Sequence, residues 1–264
     1  MSRVWWIGFN FLIAPKRILR RGNMCGIHAV ISSTSQVHDL ELERRLRNRG
    51  PDHLGTVETR VEPGPAVLTF TSTVLALRGD HLTKQPFHDS DTGSVLCWNG
   101  EAWKIGGRRV EGNDGEALFG LLTQASASSL SSSPSPPSPV DTRNTLLQVL
   151  RSIEGPFAFV YFDKPTETLF FGRDRLGRRS LVTYCDNAMS SMVLSSIAET
   201  NDPAWKEVEA DGIYTIDMGS PPVNDQLTIP LPIRHDWQVA GMPAMVSKLS
   251  QKIMRSRCLS SLLS

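Results

Sequence analysis

The chain has 264 residues, a formal net charge of +1, 40% hydrophobic residues and 21% charged residues. That length suits one large domain or two small ones, and the near-neutral balance gives no reason to expect nucleic acid or an anionic membrane as a partner. Four dispersed cysteines (Cys25, Cys97, Cys185, Cys258) form neither a C-x-x-C metal pattern nor a disulfide framework, and six histidines show no paired spacing, so a reducing compartment and no metal or other cofactor are expected.

Residues 1–23 contain no Asp or Glu but carry Arg3, Lys16, Arg17, Arg20 and Arg21. The apolar run at 5–13 is too short to span a bilayer. This leader reads as sequence upstream of a start at Met24, as an organelle transit peptide, or as a disordered tail. A start at Met24 would make the protein cytoplasmic, and a transit peptide would make it mitochondrial. Residues 28–32 read as a buried strand. Residues 39–48 read as a helix, with Leu42 and Leu46 on one face and Arg44, Arg45 and Arg47 toward solvent. Residues 66–77 alternate as one or two strands, and 94–98 form a short strand ending at the Asn99-Gly100 turn. A helix is predicted over 114–124, with Leu118, Leu121 and Leu122 inward. The Ser/Pro run at 125–139 reads as a disordered surface loop inserted within the domain. Residues 144–153 are again helical.

Strand-like runs follow at 157–162, 169–172, 181–184, 192–194 and 213–218. Asp163-Lys164-Pro165 makes the first two a hairpin. Residues 219–264 read as a linker, with an amphipathic helix over 243–263 carried by Met245, Val246, Leu249, Ile253 and Leu259. Many strands, few helices and short links give an α+β class with mostly antiparallel sheets.

The chemistry starts at Met24-Cys25-Gly26-Ile27. A cysteine followed by glycine and an apolar strand suits a nucleophile that becomes residue one of a mature enzyme. Its α-amine, with a reference pKa of about 7.7–8.0, would then serve as base for a thiol of about 8.5. The competing reading is a buried cysteine at the start of a strand. Downstream lie Arg49-Gly50-Pro51-Asp52 with Gly55, Leu77-Arg78-Gly79 before Gln85-Pro86, Trp98-Asn99-Gly100-Glu101, and Asn113-Asp114-Gly115-Glu116. In this order and spacing the segments resemble the class II glutamine amidotransferases, which are N-terminal nucleophile hydrolases. Glu154-Gly155-Pro156-Phe157-Ala158-Phe159 and the run Gly172-Arg173-Asp174-Arg175-Leu176-Gly177-Arg178-Arg179-Ser180-Leu181 resemble the asparagine synthetase domain-containing branch. The resemblance covers roughly residues 24–218.

The resemblance implies a four-layer αββα sandwich and hydrolysis of glutamine to glutamate and ammonia through a Cys25 thioester, in the service of asparagine biosynthesis. Asn99 and Gly100 would form the oxyanion hole. Arg49 would hold the α-carboxylate of glutamine, and Asp114 with help from Glu101 its α-ammonium. A guanidinium fork suits a carboxylate. Arg49 on the basic helix face, a plain Asn-Gly turn and ordinary surface acids are the structural alternatives. The Gly50-Pro51 break takes Arg49 off that helix. The partner implied is a synthetase domain in cis or in trans. No Ser-Gly-Gly-x-Asp-Ser loop follows residue 218, so residues 219–264 are expected to hold only a linker and the start of a truncated synthetase domain, and the chain alone is not expected to make asparagine. Three departures from the family pattern stand out: Asn48 in place of histidine, Ala102-Trp103 after Glu101, and Ser180 in place of proline, the last within Arg173 to Leu181, which reads as a mainly structural strand-turn-strand feature. Two rival functions remain. One is a non-catalytic glutamine-binding or interaction module with Cys25 blocked by the leader. The other is an N-terminal nucleophile peptidase or amidase of different specificity.

Overall fold

The computed structural model describes residues 24–35, 40–62, 64–76, 81–131, 138–186, 188–219 and 226–238. The leader, Leu77-Arg78-Gly79, Cys258 and the expected helix at 243–263 lie outside them. The first strand, Gly26–Ser32 (β1), is buried along its whole length. It is buried on both faces, which is why it reads as a near-continuous apolar run. The following helix, Leu40–Arg47 (α1), presents Leu42 and Leu46 to the protein, because residues four apart share a helix face. Arg44 pairs with Glu41 and Arg47 with Glu43 on the solvent side. Arg45 instead donates to the carbonyls of Ala198 and Glu199.

The chain then turns through Arg49-Gly50-Pro51 into His53–Arg60 (β2) and Val67–Val74 (β3), an antiparallel pair. Gly50 allows this turn to press on β3. A Cβ there would lie 2.6 Å from backbone atoms of Thr73 and Val74. Gly50→Ala is therefore expected to cost about 1–3 kcal/mol, as overpacking typically does. That corresponds to a thermal midpoint lower by several degrees in a domain of this size, at about 2–4 °C per kcal/mol. An unchanged midpoint by calorimetry would contradict this packing.

Next come Phe87–His88 (β4), Val95–Gly100 (β5), Lys104–Ile105 (β6) and Arg108–Arg109 (β7). The second helix, Asp114–Ser131 (α2), runs past the expected end at 124. Ala125 and Ser126 are buried in it, so the expected loop is helical in its first part. Small side chains at a packed helix face carry this stretch, a role that a Ser-rich composition hides. The third helix, Pro139–Arg151 (α3), starts earlier than predicted. Ser138 caps it in a capping box with Asp141, and Pro139 stands in its first turn. Residues 132–137 lie outside the described residues.

The remaining strands are Ile153–Glu154 (β8), Phe157–Asp163 (β9), Thr168–Arg173 (β10), Val182–Cys185 (β11), Met192–Ser195 (β12), Lys206–Glu207 (β13), Gly212–Asp217 (β14) and Ile233–Asp236 (β15). They build two six-stranded sheets, ordered β13-β11-β12-β1-β3-β2 and β15-β14-β10-β9-β5-β4, and a small sheet β7-β6-β8. Every pairing within them is antiparallel. The boundary expected at Met218 is too early, since β15 pairs with β14 and Ile229 is buried in the core between the sheets.

Alternation sorts the strand residues into two cores. Val95 and Cys97 of β5, with Val160 and Phe162 of β9, face Ile27, Ala29, Leu68 and Phe70 of the other sheet. Leu96, Trp98, Phe159 and Tyr161 point the opposite way, onto Leu118 and Leu122 of α2 and Leu146 and Leu150 of α3. Thr73 on β3 donates to the Leu46 carbonyl at 2.9 Å and ties α1 to the outer side of the first sheet. The result is an α+β sandwich in the layer order α1, sheet, sheet, α2 with α3. Among the described residues no helix is long and apolar enough to cross a membrane.

Candidate active site

Cys25 immediately precedes β1, where two contacts fix the chain. The Gly26 amide donates to Thr73 Oγ1 at 3.0 Å, and the Ile27 amide donates to Ser196 Oγ at 3.0 Å. The Cys25 thiol sits beside Leu75, whose amide donates to Sγ at 3.5 Å. Burial pushes this thiol above its ordinary pKa. The Leu75 amide opposes that shift, the Asp114 charge adds to it, and Arg49 opposes it in smaller part. The thiol is therefore neutral near pH 7 and needs a base before it can attack.

Asn99 and Gly100 end β5, in the other sheet. Their strand is held by β9 on one side, with Asn99 opposite Ala158. On the other side Gln85 Oε1 accepts the Trp98 amide at 2.9 Å. Asn99 is 1% exposed, and its Nδ2 has no hydrogen-bond partner. A buried amide donor left unpaired costs free energy comparable to a lost hydrogen bond. Asn99 lines a cavity of about 170 Å³ together with Cys25, Leu75, Gly100, Glu101 and Asp114.

Asp114 stands at the first position of α2, where a carboxylate is favoured by the helix dipole. Its Oδ2 accepts Trp98 Nε1 at 2.9 Å and the Ala102 amide at 2.8 Å. Oδ1 takes no hydrogen bond from a described residue and remains available to a ligand. Glu101 is exposed at the rim. Five of the six expected site residues thus meet in one cavity.

Residues 124–200 match the family model described as a glutamine amidotransferase domain. The chain is 30% identical to asparagine synthetase domain-containing protein 1 of Bos taurus across 83% of this chain, and 33% identical to the Mus musculus protein across 79%. The chain carries a glutamine amidotransferase domain, and its relatives are the asparagine synthetase domain-containing proteins. It spans 32% and 31% of the length of those two curated relatives. A solved glutamine phosphoribosylpyrophosphate amidotransferase from B. subtilis aligns with 81% of this chain and 49% of its own, at 13% identity and a TM-score of 0.49.

The sixth expected residue of this amidotransferase domain is placed differently. Arg49 is off α1, as the Gly50-Pro51 break implies, but it is not among the residues lining the cavity. Its Nε donates to the Cys25 carbonyl at 3.3 Å, and its Nη2 is buried without a partner. Burial lowers the pKa of its guanidinium. Sequence reasoning gave no role to Gln85 or Trp98, which brace β5 and Asp114. It read Arg179 as part of a structural run, yet Arg179 lines the cavity. Cys97 lies in the core between the sheets with its thiol pushed up to about 12 by burial. Neither Cys97 nor Cys185 lines the cavity. Among the described residues no cluster of three or more His, Cys, Asp or Glu has the arrangement to hold a metal ion.

Proposed function

We propose that this domain hydrolyses glutamine to glutamate and ammonia, with Cys25 as nucleophile once its amine is free. The observation that carries the reading is the buried, unpaired Asn99 amide in the same small cavity as the Cys25 thiol. It is a preset donor waiting for a negative oxygen. The thiol passes its proton to the Cys25 α-amine, and Sγ attacks the side-chain amide carbon of glutamine. The carbonyl oxygen becomes an oxyanion held by Asn99 Nδ2 and the Gly100 amide. The amine returns the proton to the leaving nitrogen, ammonia departs, and a γ-glutamyl thioester remains. Water gives its proton to the amine and attacks the thioester. Glutamate leaves, and Sγ regains its proton.

Asp114 and Glu101 would hold the α-ammonium of glutamine. Arg49, with its free Nη2, would serve the α-carboxylate and at the same time fix the Cys25 carbonyl. Ammonia would go to an acceptor on a synthetase domain in cis or in trans, consistent with the names of the relatives. On this reading the domain would serve asparagine biosynthesis.

Replacing Asp114 tests the substrate assignment. Asp114→Asn keeps one oxygen to accept Trp98 and Ala102, removes the charge, and puts an NH2 donor where Oδ1 would accept the ammonium. A charge-assisted hydrogen bond is worth about 1.5–3 kcal/mol, so KM for glutamine should rise about 10- to 100-fold while kcat changes little. Glu101→Gln, at the exposed rim, should have a smaller effect. An unchanged KM in steady-state ammonia release for Asp114→Asn would remove the glutamine-specific reading.

A further inference from the structure

We propose that Arg179 is a specificity-determining residue that shares the α-carboxylate of glutamine with Arg49; this rests on the glutaminase reading above. Among the described residues that line the cavity, Arg179 is the one cation, and Asp114 and Glu101 are the acids that line it too. A zwitterionic amino acid needs both signs of charge in its site. Asp114 supplies one; Arg49 is not among the lining residues and donates its Nε to the Cys25 carbonyl, so Arg179 is the lining residue that can complete the other beside the free Nη2 of Arg49.

The backbone that carries Arg179 is fixed from three sides. Asp174, 2% exposed, accepts the amides of Phe157, Leu176 and Arg178 and the Arg178 Nε. Arg173, 7% exposed, donates Nε to the Arg179 carbonyl at 2.7 Å and also reaches the Gly177 and Val208 carbonyls. Gly177 turns the loop with φ of +61°, a region that a side chain would strain. Ser180 Oγ donates to the Ser196 carbonyl at 2.9 Å, and Ser196 Oγ in turn holds the Ile27 amide, two residues from the nucleophile.

The neighbouring arginines are occupied. Arg178 pairs with Asp174 and lies over the Trp103 ring at 5.4 Å, and Arg175 lies over Trp237 at 5.8 Å. The Arg179 guanidinium makes no hydrogen bond or ion pair with a described residue. It is also near enough to Arg49 that its charge helps to lower the pKa of that guanidinium. Two like charges held this way repel, and an anion bound between them relieves the repulsion. An α-carboxylate fits that place, since guanidinium forks bind it with two donors each.

The test compares Arg179→Gln and Arg179→Lys with the parent protein, all processed to free Cys25. Two substrates are used, glutamine and glutamine α-amide, which keeps the side-chain amide and the ammonium but lacks the carboxylate. Calorimetric binding of glutamine is measured in parallel in a Cys25→Ala background. Arg179→Gln should raise KM and Kd for glutamine about 10- to 100-fold, and the preference for glutamine over its α-amide should fall by the same factor. Arg179→Lys should recover part of it. An unchanged preference, or equal losses on both substrates, would overturn the proposal. If the parent binds glutamine without hydrolysing it and Arg179→Gln loses binding, the site assignment stands and the hydrolysis reading falls. If the parent binds no glutamine, both fall.

Discussion

Protein processed so that Cys25 is residue one is expected to hydrolyse glutamine faster than protein that retains residues 1–24 by about 10²–10⁴-fold, the usual worth of a general base. The base in this scheme is the α-amine of Cys25. Linking it to Met24 through an amide removes its lone pair by covalent chemistry, not through a shifted pKa. The thiol cannot compensate, because burial holds it above its ordinary pKa and keeps it protonated. Residues 1–23 lie outside the described structure, so the comparison is made on mass-verified forms in solution. Equal turnover by the long and processed forms would remove the amine from the mechanism and send the search for a base elsewhere. Inactivity of both forms would favour a non-catalytic glutamine-binding module.

The second large effect is expected at Asn99. Replacing it with alanine deletes the buried Nδ2 donor that has no hydrogen-bond partner among the described residues. Negative charge develops on the substrate oxygen only as the tetrahedral intermediate forms, so the loss should fall on kcat, by about 10²–10³-fold, with KM nearly unchanged. Stability should not suffer in proportion, since no hydrogen bond of Nδ2 within the protein is broken. A large rise in KM with kcat preserved would make Asn99 a ground-state contact and leave the oxyanion without its side-chain donor.

The candidate site was legible in the sequence where its residues lie in short motifs. Cys25-Gly26, Asn99-Gly100-Glu101 and Asp114 are local signals, and the two sheets with the start of α2 bring them to one cavity. Leu42 and Leu46, four apart, revealed the buried face of α1. The strands over 157–162 and 169–172 were legible because their core is made of Phe, Val and Leu in strand-length runs. Strand β2 was missed because it is an edge strand. His53–Arg60 alternates partly buried with exposed polar residues, a pattern that composition does not separate from loop. The start of α3 was hidden by the prolines around it, although Ser138, Pro139 and Asp141 spell a capped helix start. Strand β15 shows only Ile233 as an apolar residue, and its pairing with β14 gives no local signal. The place of Arg179 in the cavity lining was hidden for a related reason. Its neighbours Arg173, Asp174 and Arg178 are structural, and which residue of such a run reaches the cavity depends on Gly177 and Ser180 closing the loop against Ser196. Arg49 carries the opposite lesson. The Gly50-Pro51 break places it off the helix, but only the packing of α1 against β3 decides that its Nε reaches the Cys25 carbonyl.

If Cys25 is the nucleophile of a glutamine site, the processed protein treated with a glutamine-like electrophile, diazo-oxo-norleucine, should carry its adduct there, as located by peptide mass mapping. One adduct on Cys25 is expected, slowed by competing glutamine and accompanied by loss of ammonia release. An adduct on Cys97 or Cys185, or glutamine turnover that persists in fully modified protein, would contradict that role for Cys25.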